Sequence, residues 1–194
     1  MKVAIVKYSA GNTASVANAL TRVGVESLIS DDAEVLNSAD KVIFPGVGEA
    51  STAMAYLCER RLDEVIRSLR QPVLGVCLGM QLLCASSEEN ETECLGLLPH
   101  RVWRFIADGM KVPHMGWNQI SDLRGPLFAG VAEGSYVYFV HSYFVEDGMD
   151  TTATSMYGSK FSAALSYENF HAVQFHAEKS GPVGERILEN FLNL

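Results

Sequence analysis

Residues 71–83, QPVLGVCLGMQLL, set an apolar, strand-like run directly against a helix-like run, with Cys77 between two glycines. A strand that turns sharply into a helix strains its central residue and crowds the neighbours on either side. Glycine at 75 and 79 removes the Cβ atoms that would clash. G-x-C-x-G is thus the thiol counterpart of the G-x-S-x-G nucleophile elbow. Unpaired N–H groups and the dipole at a helix N-terminus stabilise negative charge, and the amide of Leu78 is a candidate oxyanion donor. Free cysteine is equally at home as a small buried residue, so the glycine bracket alone leaves both readings of Cys77 open. Cys58, Cys84 and Cys94 read as packing residues. Cys84 is expected on the same helix as the elbow, roughly 10 Å beyond Cys77 at 1.5 Å per residue.

The flanking chain supplies a sheet for this elbow. KVAIVKY, KVIFPGVG and QPVLGV are apolar runs that alternate with helical patterns, including Val16, Leu20 and Val23 ahead of Gly24. Strands alternating with helices imply a parallel sheet covered on both faces. The second half turns strand-rich (YVYFVHSYFV, TTATSMYG, FSAALSY, NFHAVQFHAE), and the tail SGPVGERILENFLNL returns to helical spacing. The expected fold is α/β, one domain over residues 1–194, with a central mixed, mostly parallel, flavodoxin-like sheet flanked by helices.

Bulk properties narrow the function. A net charge of -8 argues against a nucleic-acid partner. No run approaches the ~18 apolar residues of a membrane span, and the opening MKVAIVKYSAGN is too short for a signal-peptide core, so the expected location is the cytoplasm. The five histidines lack HxxxH or HExxH spacing, and the four cysteines form no CxxC pair. Neither a metal site nor a disulfide framework is expected. No cofactor is expected either: Gly46 and Gly48 in FPGVGEAST resemble a phosphate loop only superficially, because no G-K-[ST] follows and Glu49 would repel phosphate.

A cysteine nucleophile needs an imidazole within reach and a group to orient it. AVQFHAEKS supplies both, since in an extended chain His176 and Glu178, at i and i+2, project together. Neither His141 nor His171 has a carboxylate at that spacing, and His171, an odd number of residues away, faces the other side of a regular strand. The FPGVG loop follows a strand at its carboxyl end, where open α/β sheets place their sites, and its glycines let backbone approach a ligand.

Together, PGVGEA, GVCLGMQLL, YFVHSY and VQFHAEKS resemble the triad, or class I, glutamine amidotransferases, in that family's order and over nearly the whole chain. VPHMGWN and the opening KYSAGNTASVANAL are similar to the branch that supplies ammonia to a (β/α)8-barrel cyclase in histidine biosynthesis. The resemblance implies a glutaminase whose substrate is L-glutamine and whose partner, in a heterodimer, is that cyclase. Cys77 would attack the side-chain amide, His176 would protonate the leaving ammonia, and Glu178 would orient the imidazole. Leu78 and either Val47 or Gly48 would form the oxyanion hole. Gly46, Gln81, Glu89 and the backbone of Ser142 and Tyr143 would hold glutamine, and Met115, Trp117 and Lys179 would meet the partner. Gln81 also fits independently, lying four residues from Cys77 and so on the same helix face. Trp103 is expected in the core, and SSEENETE as a solvated acidic loop. Two positions depart from the family pattern: Ala177 stands where proline is usual between His176 and Glu178, and Lys7-Tyr8-Ser9 where Asp-Tyr-Gly is common. The competing readings are a related Cys-His-Glu hydrolase, such as a glutaminase serving another synthase or a peptidase, and a non-catalytic binding subunit with the same fold.

Overall fold

The computed structural model describes residues 1–9 and 11–194; Ala10, within the opening KYSAGNTASVANAL segment, lies outside them. The first half alternates strand and helix. β1 (Val3–Val6), α1 (Thr13–Arg22), β2 (Ser27–Ser30), α2 (Ala33–Ser38) and β3 (Lys41–Gly46) come first. Then follow α3 (Ala50–Glu59), α4 (Leu62–Ser68), β4 (Val73–Cys77) and α5 (Leu78–Leu83). Every residue of β1, β3 and β4 is buried, as parallel strands are when helices cover both faces. β2 is the edge strand, and its Leu28 is 60% exposed.

The second half contributes β5 (Cys84–Ser87), β6 (Thr92–Glu93), β7 (Leu98–Arg104), β8 (His114–Gln119) and β9 (Tyr136–His141). It continues with β10 (Tyr143–Val145), β11 (Thr151–Tyr157), β12 (Ser159–Tyr167), β13 (Phe170–Val173) and α6 (Gly181–Leu192). The main sheet has seven strands in the order β11-β12-β13-β4-β3-β1-β2. Pairing is parallel from β13 through β2 and antiparallel among β11, β12 and β13. Alternate residues feed two cores. Ala4, Val6, Val42, Phe44 and Val73 pack with α2, α3, α4 and α5, whereas Val3, Ile5, Ile43, Leu74 and Val76 pack with α1 and α6. The architecture is a single α/β domain with a central mixed sheet between helical layers. Among the described residues no helix is long and apolar enough to cross a membrane.

Several local expectations are corrected. Two smaller sheets, β10-β7-β5-β6 and β8-β9, accompany the central one. The run YVYFVHSYFV breaks at Ser142: β9 pairs with β8, and β10 crosses to β7. The helix after the elbow ends at Leu83, so Cys84 opens β5 rather than extending the helix. Its buried thiol donates to the Met80 carbonyl at 3.5 Å. SSEENETE is not an open loop, because it carries the end of β5, a 3₁₀ turn over Glu89–Glu91 and β6. Trp103 is half-buried on β7 with the Arg101 guanidinium 4.7 Å above its ring, outside the core.

The elbow explains its own glycines. Cys77 sits at φ 55°, ψ -110°, a left-handed conformation that strains an L-residue. A Cβ on Gly79 would lie 1.8 Å from the Phe44 carbonyl oxygen, and one on Gly75 would lie 2.7 Å from Leu83 Cδ1. Helix α5 therefore rests its first turn directly on the backbone of β3. We expect Gly79→Ala to cost at least about 3 kcal/mol, since backbone must move, while Gly96→Ala costs about 1 kcal/mol for its positive φ alone. Urea unfolding of the two variants measures the difference.

Candidate active site

The site lies at the carboxyl ends of β3, β4 and β13, where the loops of an open α/β sheet form a crevice. Cys77 ends β4, register-paired with Gly46 of β3, and is 6% exposed. Its Sγ lies 3.6 Å from the Val140 carbonyl and 3.7 Å from Nε2 of the buried Gln174.

His176 follows β13. Its backbone N–H donates to the Tyr138 carbonyl at 2.8 Å, and its carbonyl accepts from Ser180 Oγ at 2.6 Å. The hydroxyl of Ser180 in turn accepts the Tyr138 N–H at 3.0 Å. Strand β9 thus clamps the segment that carries the imidazole. His176 Nδ1 and Glu178 Oε1 meet at 2.8 Å, with side chains only 3% and 1% exposed. The expected reason for this contact is corrected. The strand does not continue here: His176 is itself extended (φ -86°, ψ 95°), but a 3₁₀ turn over Ala177–Lys179 follows and swings the carboxylate back to the ring. The parity argument that set His171 aside does not apply either, because β13 ends at Val173, before His176. His171 is nonetheless remote, its Nδ1 bonded to Ser166 Oγ on β12. Position 177 shows why proline is dispensable, because the preceding residue already has the extended backbone proline would impose.

A carboxylate at Nδ1 leaves Nε2 of His176 to face the pocket. Burial pushes the imidazolium down, but the hydrogen bonds and charges of Cys77 and Glu178 outweigh it and carry its pKa up to about 10. Glu178 Oε1 also accepts from Asn12 Nδ2 at 2.8 Å, whereas Oε2 is buried without a partner among the described residues.

Cys77 and His176 open onto a cavity of about 300 Å³. Val47, Gly48, Leu78, Gln81, Glu89, Ser142, Tyr143 and Lys179 line it as well. Gly48, at φ 113°, needs to be glycine. Gln81 is buried, and its Nε2 donates to the Tyr143 carbonyl at 3.2 Å and to Gln174 Oε1 at 3.0 Å. The Glu89 carboxylate accepts the N–H of Ala50 at the start of α3 at 2.7 Å; burial raises its pKa and that N–H offsets part of the rise.

Three residues singled out in the sequence stand apart from this cavity. Gly46 is packed beneath it: a Cβ there would meet the Tyr8 hydroxyl at 2.2 Å and Leu78 Cβ at 2.8 Å, so its visible role is to admit those two neighbours. Met115 and Trp117 lie on β8, 63% and 55% exposed, and Trp117 is therefore no core aromatic. Pro113, Val140 and His141 line the pocket unforeseen. Gln174 had a readable signal, two residues before His176. Asn12 had none, being 166 residues from the carboxylate it touches.

A family model described as Glutamine amidotransferase class-I matches residues 4–194. The chain is 57% identical over 196 residues to the imidazole glycerol phosphate synthase subunit HisH of Bacteroides fragilis, with 100% of each covered. It is 48% identical over 200 residues to the protein of the same name from Shewanella loihica, covering 98% of this chain and 89% of that one. Among solved structures, PurLQS from Thermotoga maritima superposes with a TM-score of 0.73 at 18% identity, covering 99% of this chain and 97% of that one. A protein described as a glutamine amidotransferase gives the same TM-score of 0.73 at 21% identity, with 98% and 97% covered. At such identities the structures speak to fold alone.

Two outcomes follow from the geometry. Because the folded pKa of His176 is raised, its contribution to stability is complete below the ordinary value of 6.5 and is lost as pH climbs through about 10. The stability gap between the wild type and His176→Asn, from denaturant unfolding across that window, should shrink with rising pH. At the elbow, Cys77→Gly should be more stable than Cys77→Ala by about 1 kcal/mol, because only glycine relaxes the left-handed backbone; calorimetry of the pair checks it.

Proposed function

The chain belongs to the class-I glutamine amidotransferase family, and on that premise we propose that it is the glutaminase subunit of an imidazole glycerol phosphate synthase. It acts as one unit over residues 1–194 in the cytoplasm, hydrolysing L-glutamine and passing the ammonia to a (β/α)8-barrel cyclase with which it forms a heterodimer in histidine biosynthesis. The observation that carries the reading is that Cys77 and His176 line one small pocket while Glu178 meets the imidazole from behind at 2.8 Å.

The chemistry runs as follows. The proton already rests on the His176 imidazole, whose pKa is raised, as sulfur adds to the glutamine side-chain amide carbon, moving the carbonyl π electrons onto oxygen. The N–H of Leu78, with that of Val47 or Gly48, stabilises the oxyanion. The imidazolium, held in one orientation by Glu178, protonates the amide nitrogen, and ammonia leaves as the C=O re-forms. Water then adds to the thioester with His176 as base, a second oxyanion collapses, and glutamate departs with the thiol restored. The raised pKa of His176 keeps it protonated near neutral pH, ready to act as the acid toward the departing nitrogen. Gln81, Glu89 and the Ser142–Tyr143 backbone hold the α-amino and carboxylate ends of glutamine. Gly46 supports this wall from beneath, through Tyr8 and Leu78.

Ammonia released into bulk water would be protonated and lose its nucleophilic lone pair, so the product calls for a dry exit. The exposed apolar side chains of Met115 and Trp117, with Lys179 at the pocket rim, suit the surface the cyclase covers. Glutamate release by the chain mixed with a barrel cyclase and its ligand tests the assignment. Cys77→Ala should abolish release while leaving fold and cyclase binding intact, and Glu178→Gln should lower kcat by about 10²-fold or more. Full turnover by Cys77→Ala removes this cysteine from the mechanism. Wild-type turnover that is the same with and without cyclase and its ligand removes the partner.

A further inference from the structure

A second imidazole, His141, lines the pocket without a part in the chemistry above. Both its ring nitrogens are engaged. Nδ1 lies 2.8 Å from the Tyr143 carbonyl, which only accepts, so Nδ1 carries the proton. In the neutral ring Nε2 is then an acceptor, and it lies 2.9 Å from Nδ1 of the buried His114. His114 must donate there, which leaves its own Nε2 to accept from Asn118 Nδ2 at 3.3 Å. Burial pushes both imidazoles down, to about 4 for His114 and about 3 for His141, so both stay neutral and the direction of the chain is single-valued.

This chain of donors ends on one atom. The Tyr143 carbonyl receives His141 Nδ1–H from one side and Gln81 Nε2–H from the other. Gln81 also donates to Gln174, whose own amide donates to the Cys77 sulfur. The pocket wall at 142–143 is therefore pinned between the elbow helix α5 and the β8-β9 ribbon. His114 is the ribbon's anchor: it pairs in register with His141, and its ring stacks on Tyr157 at 3.9 Å and on Phe139 at 4.9 Å.

We propose that His114, which lies outside the cavity, is a positioning residue for glutamine: through the His141 ring it fixes the Tyr143 carbonyl and hence the Ser142–Tyr143 backbone of the substrate pocket. The inference rests on the assignment of this pocket to glutamine. It does not place either histidine in proton transfer, since every ring nitrogen of His114 and His141 is already engaged.

Two substitutions separate the hydrogen bond from the packing. His114→Phe keeps a flat ring between Phe139 and Tyr157 but removes the donor. His114→Asn keeps a donor at the Nδ1 position but loses the stack. In the full chain with the barrel cyclase and its ligand, His114→Phe should raise KM for glutamine by about tenfold, the equivalent of one net hydrogen bond, with kcat within about twofold of wild type. His114→Asn should recover part of that KM although it packs worse, and its midpoint of thermal unfolding should be the lower of the two. An unchanged KM in His114→Phe, or a KM higher in the Asn than in the Phe variant, overturns the inference while leaving the glutaminase assignment standing. A wild type that releases no glutamate sinks the assignment and the inference together.

Discussion

The contact on which the site depends is the one between Gly79 and the carbonyl of Phe44. Helix α5 lies so close to β3 that no side chain fits between them. That approach leaves Cys77 no room for an ordinary turn and holds it at φ 55°. The same closeness sets Leu78 against the cavity and brings Gln81, one turn along, to both Tyr143 and Gln174. The fold's general stability comes from two apolar cores, but the site's geometry comes from this one backbone contact.

The second constraint is electrostatic. A carboxylate and an imidazole almost wholly removed from water are costly to bury unless each is paired. One oxygen of Glu178 meets both His176 and Asn12, which ties the carboxylate to two segments distant in sequence. His176 is held through its backbone to β9 and Ser180 as well as through its ring. Orientation is thus settled by elements that are far from one another along the chain.

What was legible in the sequence follows from this. The parallel core was readable because β1, β3 and β4 are continuous apolar runs, and the elbow because its glycines have a steric cause. Edge strand β2, with Leu28 and Ile29 exposed, gives no burial pattern and was missed. The break between α3 and α4 at Arg60–Arg61, with Arg61 at φ 57°, carries no glycine or proline to mark it. The pairing of His176 with Glu178 was anticipated through the wrong geometry, a strand in place of a 3₁₀ turn, because both bring i and i+2 together. Gly46 read as a ligand-facing glycine and is a packing one. Tertiary partners such as Asn12, Ser180 and the His114–His141 pair leave no local trace, since what they touch is set by topology alone.

The place of β13 in the sheet has a consequence for biosynthesis. It fits between β4 and β12, and Gln174, just past its end, follows the nucleophile by 97 residues. While the ribosome extends the intervening chain, β4 presents an unpaired apolar edge to solvent, the kind of surface that invites aggregation or chaperone capture. Insertion of that late strand seals the edge and brings His176, which follows it, to the pocket that Cys77 lines. The β4 edge is therefore covered, and the pocket completed, only once residues late in the sequence have been made.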